Sequence, residues 1–296
     1  MTDHARFVGL LKGTFAVAVW GASFIATKVV LRDVSPATVV GLRFAMGIIV
    51  LGAFVIIRKE FLLQKPKVLG YFALLGFIGI TFHQWLQSNG LTSAQASTSA
   101  WIVSTTPIFI AVLGWLFLKE NLRLDQILGI AVAATGVLLV VSKGNLGAVF
   151  KGSFGTPGDL LVLISSPNWA VYSVLARKGL KESSASLMTF YVITLGWFFS
   201  TPLFFAGQGI SEINQLTLSS WLAVGFLGIF CSGLAYIYWN DALKIIPASQ
   251  VGALLYVEPL FAVAVAAAII GESITLGALL GGAIILLGVW MVTRKQ

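Results

Sequence analysis

The stretch GITFHQWLQSNGLTSAQASTSAW, Gly79 to Trp101, places His83, Gln84, Gln87, Ser88 and Asn89 inside an otherwise apolar run. Imidazole and amide side chains at such a place either hydrogen-bond neighbouring helices or meet a polar solute. Polar groups in hydrocarbon are costly, so they mark pathways and binding sites. Gly76, Gly79, His83 and Gln87 follow one another at spacings of 3, 4 and 4, which puts them on one stripe of a helix. The glycines allow close helix packing at one end of the stripe, and the polar side chains occupy the other. His83 can also titrate, although a lone histidine serves more often as a hydrogen-bonding residue than as a proton carrier.

Three charges lie deep. Glu258 stands eleven residues past Pro247, about 16 Å along a helix and hence near a bilayer midplane. A carboxyl there, with no fixed cation, is able to bind a proton or a substrate amine. Alternatively it bonds the backbone that Pro259 opens, holding a kink. Arg43 lies seven residues into an apolar run and either pairs with an acid or braces helices. Lys28 is close enough to a run's end to snorkel outward.

Tryptophan adds aromatic faces. Trp169, in SSPNWAVY, lies eleven residues past Asp159, about 16 Å deep, where no interfacial belt exists. Trp20 holds the equivalent place earlier in the chain. Trp101 lies about one turn into its run with Ser97 and Ser104, either on a cavity wall or at headgroup level. No HExxH, GxSxG, phosphate loop or spaced carboxylate pair is present, so an enzyme is not expected. One cysteine, Cys231, and two histidines provide neither a disulfide nor a thiolate metal cluster, and no cofactor is expected. Cys231 reads as a small packing residue.

These residues need an apolar frame. Of 296 residues, 58% are hydrophobic and 10% charged, with a mean hydropathy of +0.94. Soluble domains carry about 25% charged residues, so this chain reads as an integral membrane protein. Apolar runs recur at helical rather than strand period, which excludes a barrel. The first run has no small-x-small cleavage pattern, so no cleavable signal peptide is expected. Spans are expected near 14–31, 36–57, 68–90, 97–118, 125–142, 158–176, 186–206, 220–243, 247–270 and 275–292. The net charge of +8 reflects topology rather than nucleic-acid binding: with the N-terminus inside, fourteen of nineteen basic residues fall on the inner side and three outside. Both termini are therefore expected in the cytoplasm.

The chain also resembles itself. Residues 118–144 align without gaps to 270–296 with nine identities in twenty-seven positions, Glu120 opposite Glu272 among them. The same offset of 152 pairs Pro107 with Pro259 and Ala96-Ser97 with Ala248-Ser249, and an offset of 149 pairs Trp20 with Trp169. Five spans per half, an odd number, would insert the second half upside down. Inverted halves are an architecture of alternating-access transporters. The expected division is 1–145, a linker at 146–157, and 158–296.

WGASF in the first span, TTPIFIAVLGWLFLKE (105–120), NWAVYSVLARK (168–178) and YVEPLFAVAVAAAIIGE (256–272) resemble the EamA family of the drug/metabolite transporter superfamily. The likeness covers about residues 10–293. It implies ten helices and a central cavity formed by spans 1, 3, 4, 6, 8 and 9. His83, Gln84, Gln87, Trp101, Trp169, Trp20, Asn240 and Tyr256 are then the candidate solute-binding residues, with Glu258 the proton or amine site. The aromatic residues of spans 4 and 6 are similar to those of the YddG-type amino-acid exporters. The resemblance implies an all-α secondary transporter in the plasma (cell inner) membrane, exporting amino acids and related small metabolites, with a monomer plausible. A carrier of phosphorylated solutes, using Lys28 and Arg43, and a passive channel are the alternatives.

Overall fold

A computed structural model describes residues 3–118, 124–145, 147, 155–181, 183–246, 251–252, 254–273 and 275–293. Among them every regular element is helical: α1 (Asp3–Val30), α2 (Pro36–Ile57), α3 (Pro66–Ser93), α4 (Ala96–Val103), α5 (Thr106–Leu118) and α6 (Leu124–Val141) are followed by α7 (Pro157–Gly179), α8 (Ala185–Ala206), α9 (Leu218–Ile245), α10 (Glu258–Ile270) and α11 (Leu276–Thr293). Seven of these are long and apolar enough to cross a membrane. Residues such as Ile49, Phe198, Leu222 and Ile269 turn outward, an apolar circumference suited to lipid rather than water.

Local chemistry sets the helix starts. Proline stands at or next to the first position of α2, α3, α7 and α10, where its missing N–H costs nothing. Thr156 and Asp159 close a capping box on α7, and Ser184 and Thr217 cap α8 and α9. Gly271, at φ +61°, ends α10 in the left-handed conformation that glycine adopts freely.

Three expectations need correcting. The first helix begins at Asp3 rather than near residue 14, because its first turns carry Arg6 and Lys12 and escape a hydropathy reading. Lys12 is paired with Asp241 of α9. The run 97–118 is two helices, parted by a turn at Ser104–Thr105. Likewise α10 is preceded by a 3₁₀ turn, Leu254–Val257, so Pro259 opens a new helix instead of kinking a continuous one. Glu120, Ala248 and Ser249 lie outside the described residues.

Element boundaries recur at fixed distances. Pro36–Ile57 returns as Ala185–Ala206, 149 residues on; Pro66–Ser93, Thr106–Leu118 and Leu124–Val141 return as Leu218–Ile245, Glu258–Ile270 and Leu276–Thr293, 152 residues on. Each long helix α3 and α9 contains a π segment at the matching place, Phe77–Phe82 and Leu227–Leu234. Packing repeats the pattern: α1 lies on α9 and α10 as α7 lies on α3 and α5, α2 lies on α9 as α8 lies on α3, and α2–α8 and α6–α11 pair across the centre. Small residues permit the crossings. A methyl group on Gly76 would stand 2.5 Å from the Val192 carbonyl, and one on Gly79 2.3 Å from the Tyr172 ring, so both glycines of the stripe are packing positions as expected.

Two acids 152 residues apart hold matching caps. Glu212 accepts hydrogen bonds from the Ser35 backbone and hydroxyl and from Thr38 at the start of α2. Glu60, beyond the far end of α2, accepts from Ser184 and Ser186 at the start of α8. Partial burial alone would raise both carboxyls, but these hydrogen bonds outweigh it and hold each below the usual range. A depressed folded value contributes stability above the unfolded value, about 4.3 for Glu, and that contribution is lost as pH falls through the folded one. Detergent-solubilised protein should therefore melt earlier as pH drops below that range, and Glu60→Gln with Glu212→Gln should flatten this acid dependence. An unchanged slope in melting curves at pH 7 and pH 4 would count against the caps.

Candidate functional site

Where the long helices cross, side chains of five of them meet. Trp20 and Ser23 come from α1, Arg43 from α2, and His83, Gln84 and Gln87 from α3. Trp169 of α7, Tyr236 of α9, and Leu255 and Glu258 at the break before α10 complete the wall, with Val103 at the end of α4. The void between them is about 30 Å³, room for about two waters.

Backbone approach places each group. Gly21 lets α1 press on the start of α10, since a methyl there would lie 2.6 Å from the Glu258 carbonyl. That contact brings Trp20 and Ser23 alongside the Glu258 carboxyl, which is 3% exposed and leaves Oε2 without a hydrogen-bond partner. Glu258 sits in the first turn of α10, where free backbone N–H groups favour an anion. Gly47 and Gly228 draw α2 against the π segment of α9. Ser232 of that segment then accepts from Arg43 Nε at 3.1 Å, while Gln84 Oε1 accepts from Arg43 Nη1 at 3.1 Å. Arg43 is 3% exposed. The only ion pair among the described residues joins Lys12 to Asp241, so neither Arg43 nor Glu258 has a charged partner within 4 Å.

One side of the cavity is aromatic. Trp20 and Trp169 meet edge to face with centroids 5.3 Å apart. Tyr236 lies 5.3 Å from Trp20 and 5.7 Å from Trp169, and His83 stands 4.8 Å from Trp169 with Nδ1 unpartnered. Trp20 Nε1 donates to the Cys231 carbonyl at 3.0 Å, on the π segment. Cys231 itself is fully buried in the core, as a packing residue should be.

Of the nine candidate solute, proton or amine residues read from sequence, His83, Gln84, Gln87, Trp20, Trp169 and Glu258 gather here. Three do not. Trp101 packs on Gly282 and Ile285 of α11, on the far side of the broken span, and Tyr256 belongs to the same cluster. Asn240 lies outside the cavity wall, donating to Thr189 Oγ1 at 2.8 Å. Asn89 and Trp85, off the stripe, line a separate groove between α2, α3 and α8. Lys28 stays near the end of α1, within electrostatic reach of Glu272 and Asp159. Sequence spacing did not bring Arg43, Tyr236 or Ser23 to the site. For Arg43 the signal was present, since α2 offers it no acidic partner.

Residues 7–142 and 156–294 each match the EamA-like transporter family. Among similar proteins, an uncharacterized transporter of Archaeoglobus fulgidus is 28% identical over 278 residues, covering 94% of each chain. The uncharacterized transporter YyaM of Bacillus subtilis is 29% identical over 273 residues, covering 91% of this chain and 88% of its own. A solved crystal structure superposes with a TM-score of 0.68 at 20% identity, covering 99% of this chain and 97% of that one, a likeness of fold.

Proposed function

We propose, from the premise that this chain belongs to the EamA-like transporter family, that it is a ten-helix secondary transporter moving small organic solutes through the central cavity by alternating access. Its halves, 1–145 and 158–296, are read as inverted copies joined at 146–157, with both termini in the cytoplasm of a plasma (cell inner) membrane. The observation that carries this reading is the contact between Trp20 and Trp169. Residues 149 apart that touch each other must lie where the two halves meet, and the mirrored helix packing around them supports a two-fold arrangement. A site at the meeting line of two inverted halves is the one place both can open in turn.

The solute is read as an amino acid or a related metabolite, aromatic members included, carried outward. Stacking faces beside amides, an imidazole and two opposite charges fit such a molecule. A phosphorylated solute fits less well, because the single guanidinium shares its cavity with a carboxyl. The void in this state has room for about two waters and no more, so the helices must part for a solute to enter.

Two measurements test the reading. With Cys231 replaced by Ala, a cysteine at Ser183 should react with an impermeant maleimide only from the cytosolic side, and one at Ser211 only from outside; labelling of both from one side would mean that α8 does not cross the membrane and would end the ten-span reading. Counterflow in liposomes with radiolabelled amino acids, one by one, should give saturable exchange. A flux that does not saturate would favour a passive channel instead.

A further inference from the structure

We infer that Arg43 and Glu258 are the two poles of one dipolar site, in which Arg43 takes the carboxylate and Glu258 the ammonium group of a single zwitterionic solute. The inference rests on the central cavity being the solute site, and deepens it by assigning the recognition chemistry.

The two groups face the same small void from opposite halves of the chain, Arg43 on α2 and Glu258 at the start of α10. Each is 3% exposed. Burying an ionic group without a counter-charge is strongly unfavourable, yet among the described residues neither pairs with an ion. The hydrogen bonds of Arg43 run to the neutral oxygens of Ser232 and Gln84, which fix the guanidinium plane without neutralising it. Glu258 Oε2 has no hydrogen-bond partner at all. The other titratable groups on the wall are His83 and Tyr236, while Lys12, Asp241, Lys28, Glu272 and Asp159 do not line it.

A ligand of one sign satisfies only one pole. An amine leaves Arg43 uncompensated, and a carboxylic or phosphorylated acid meets the Glu258 carboxyl across the void. A zwitterion supplies both counter-charges, and the planar fork of arginine matches a carboxylate in two parallel hydrogen bonds. Trp20, Trp169 and Tyr236 then form the wall for the rest of the molecule.

Purified full-length protein in liposomes tests this with two trios: L-phenylalanine, L-phenylalaninamide and 3-phenylpropionate, and L-leucine, L-leucinamide and 4-methylpentanoate. The free amino acid should compete in counterflow at least about tenfold better than its amide or its deaminated acid. Arg43→Gln should narrow the gap to the amide, and Glu258→Gln the gap to the deaminated acid, a crossed selectivity that a bracing role would not produce. If either variant fails to fold, the wild-type series decides alone. Equal competition by all three members, with exchange intact, overturns the dipolar site and leaves transport standing. No exchange of any amino acid overturns the reading beneath it. A Glu258→Gln variant that keeps full discrimination but loses its response to a pH gradient makes Glu258 a proton site and overturns the amine assignment.

Discussion

Gly158→Ala should leave little monodisperse protein after extraction, whereas Gly9→Ala, 149 residues earlier, should be close to neutral. At Gly158 an added methyl would stand 2.0 Å from the Gly90 carbonyl, 2.5 Å from Ser93 Oγ and 2.8 Å from the Ala94 nitrogen. Two of these are backbone atoms of α3 and the turn that ends it, so no side chain can swing aside. The Gly158 N–H also donates to Ser93 Oγ at 3.0 Å, a bond that any retreat would break. Overpacking of an interior costs about 1–3 kcal/mol, and more where backbone must shift. At Gly9 the nearest atoms are side-chain carbons of Ile245 and Ile246, from 3.3 Å, which need yield only slightly, and alanine favours the helix by roughly 0.5–1 kcal/mol. Size-exclusion profiles and melting curves of the pair decide the matter; a Gly158→Ala protein that melts like wild type would refute the close crossing of α3 and α7.

Trp169 should show two separable effects. Its ring meets Tyr172 at 4.7 Å, His83 at 4.8 Å, Trp20 at 5.3 Å and Tyr236 at 5.7 Å, and it is 4% exposed. Trp169→Ala empties the centre of that cluster and should destabilise by about 3–5 kcal/mol, so its transport defect would say little about solute contact. Trp169→Phe keeps an aromatic face and should fold. If the indole stacks on solute, the smaller ring keeps part of the contact, and apparent affinity should fall by at most about 13-fold, the equivalent of the full ~1.5 kcal/mol of an aromatic pair. Trp101→Phe is the comparison: its ring packs on Gly282, away from the cavity, so affinity should not change. A loss at Trp101 with none at Trp169 would move the solute to the other side of the broken span.

The helices were largely legible because apolarity and length answer to one physical cause, the hydrocarbon a span must cross. The expected 36–57 coincides with Pro36–Ile57. What hydropathy cannot see is backbone hydrogen bonding. The breaks before Thr106 and Glu258 and the two π segments leave composition untouched, and only Pro107 and Pro259 hinted at the breaks. The same limit explains the site. Counting along a helix sets His83 and Trp169 well inside their runs, and both are buried in the structure, but facing depends on an unbroken phase. Trp101 precedes a turn and Tyr256 lies in a 3₁₀ segment, so their azimuths could not be extrapolated. For Arg43 the choice between an acid partner and a brace was not open to sequence, because its neutral partners, Ser232 and Gln84, come from distant helices.

The paired π segments carry a consequence for chain length. A π turn closes its hydrogen bonds one residue further along than an α turn, so Phe77–Phe82 and Leu227–Leu234 each accommodate a surplus residue within an otherwise α-helical rod. Elsewhere in α3, losing one residue would swing His83, Gln84 and Gln87 about 100° around the axis, away from the void. Within the π segment the same deletion is absorbed, since the turn tightens to α and the flanking faces keep their phase. Each of the two helices therefore has one window in which a lost residue leaves the phase of the flanking turns intact, and the windows stand at matching places in α3 and α9.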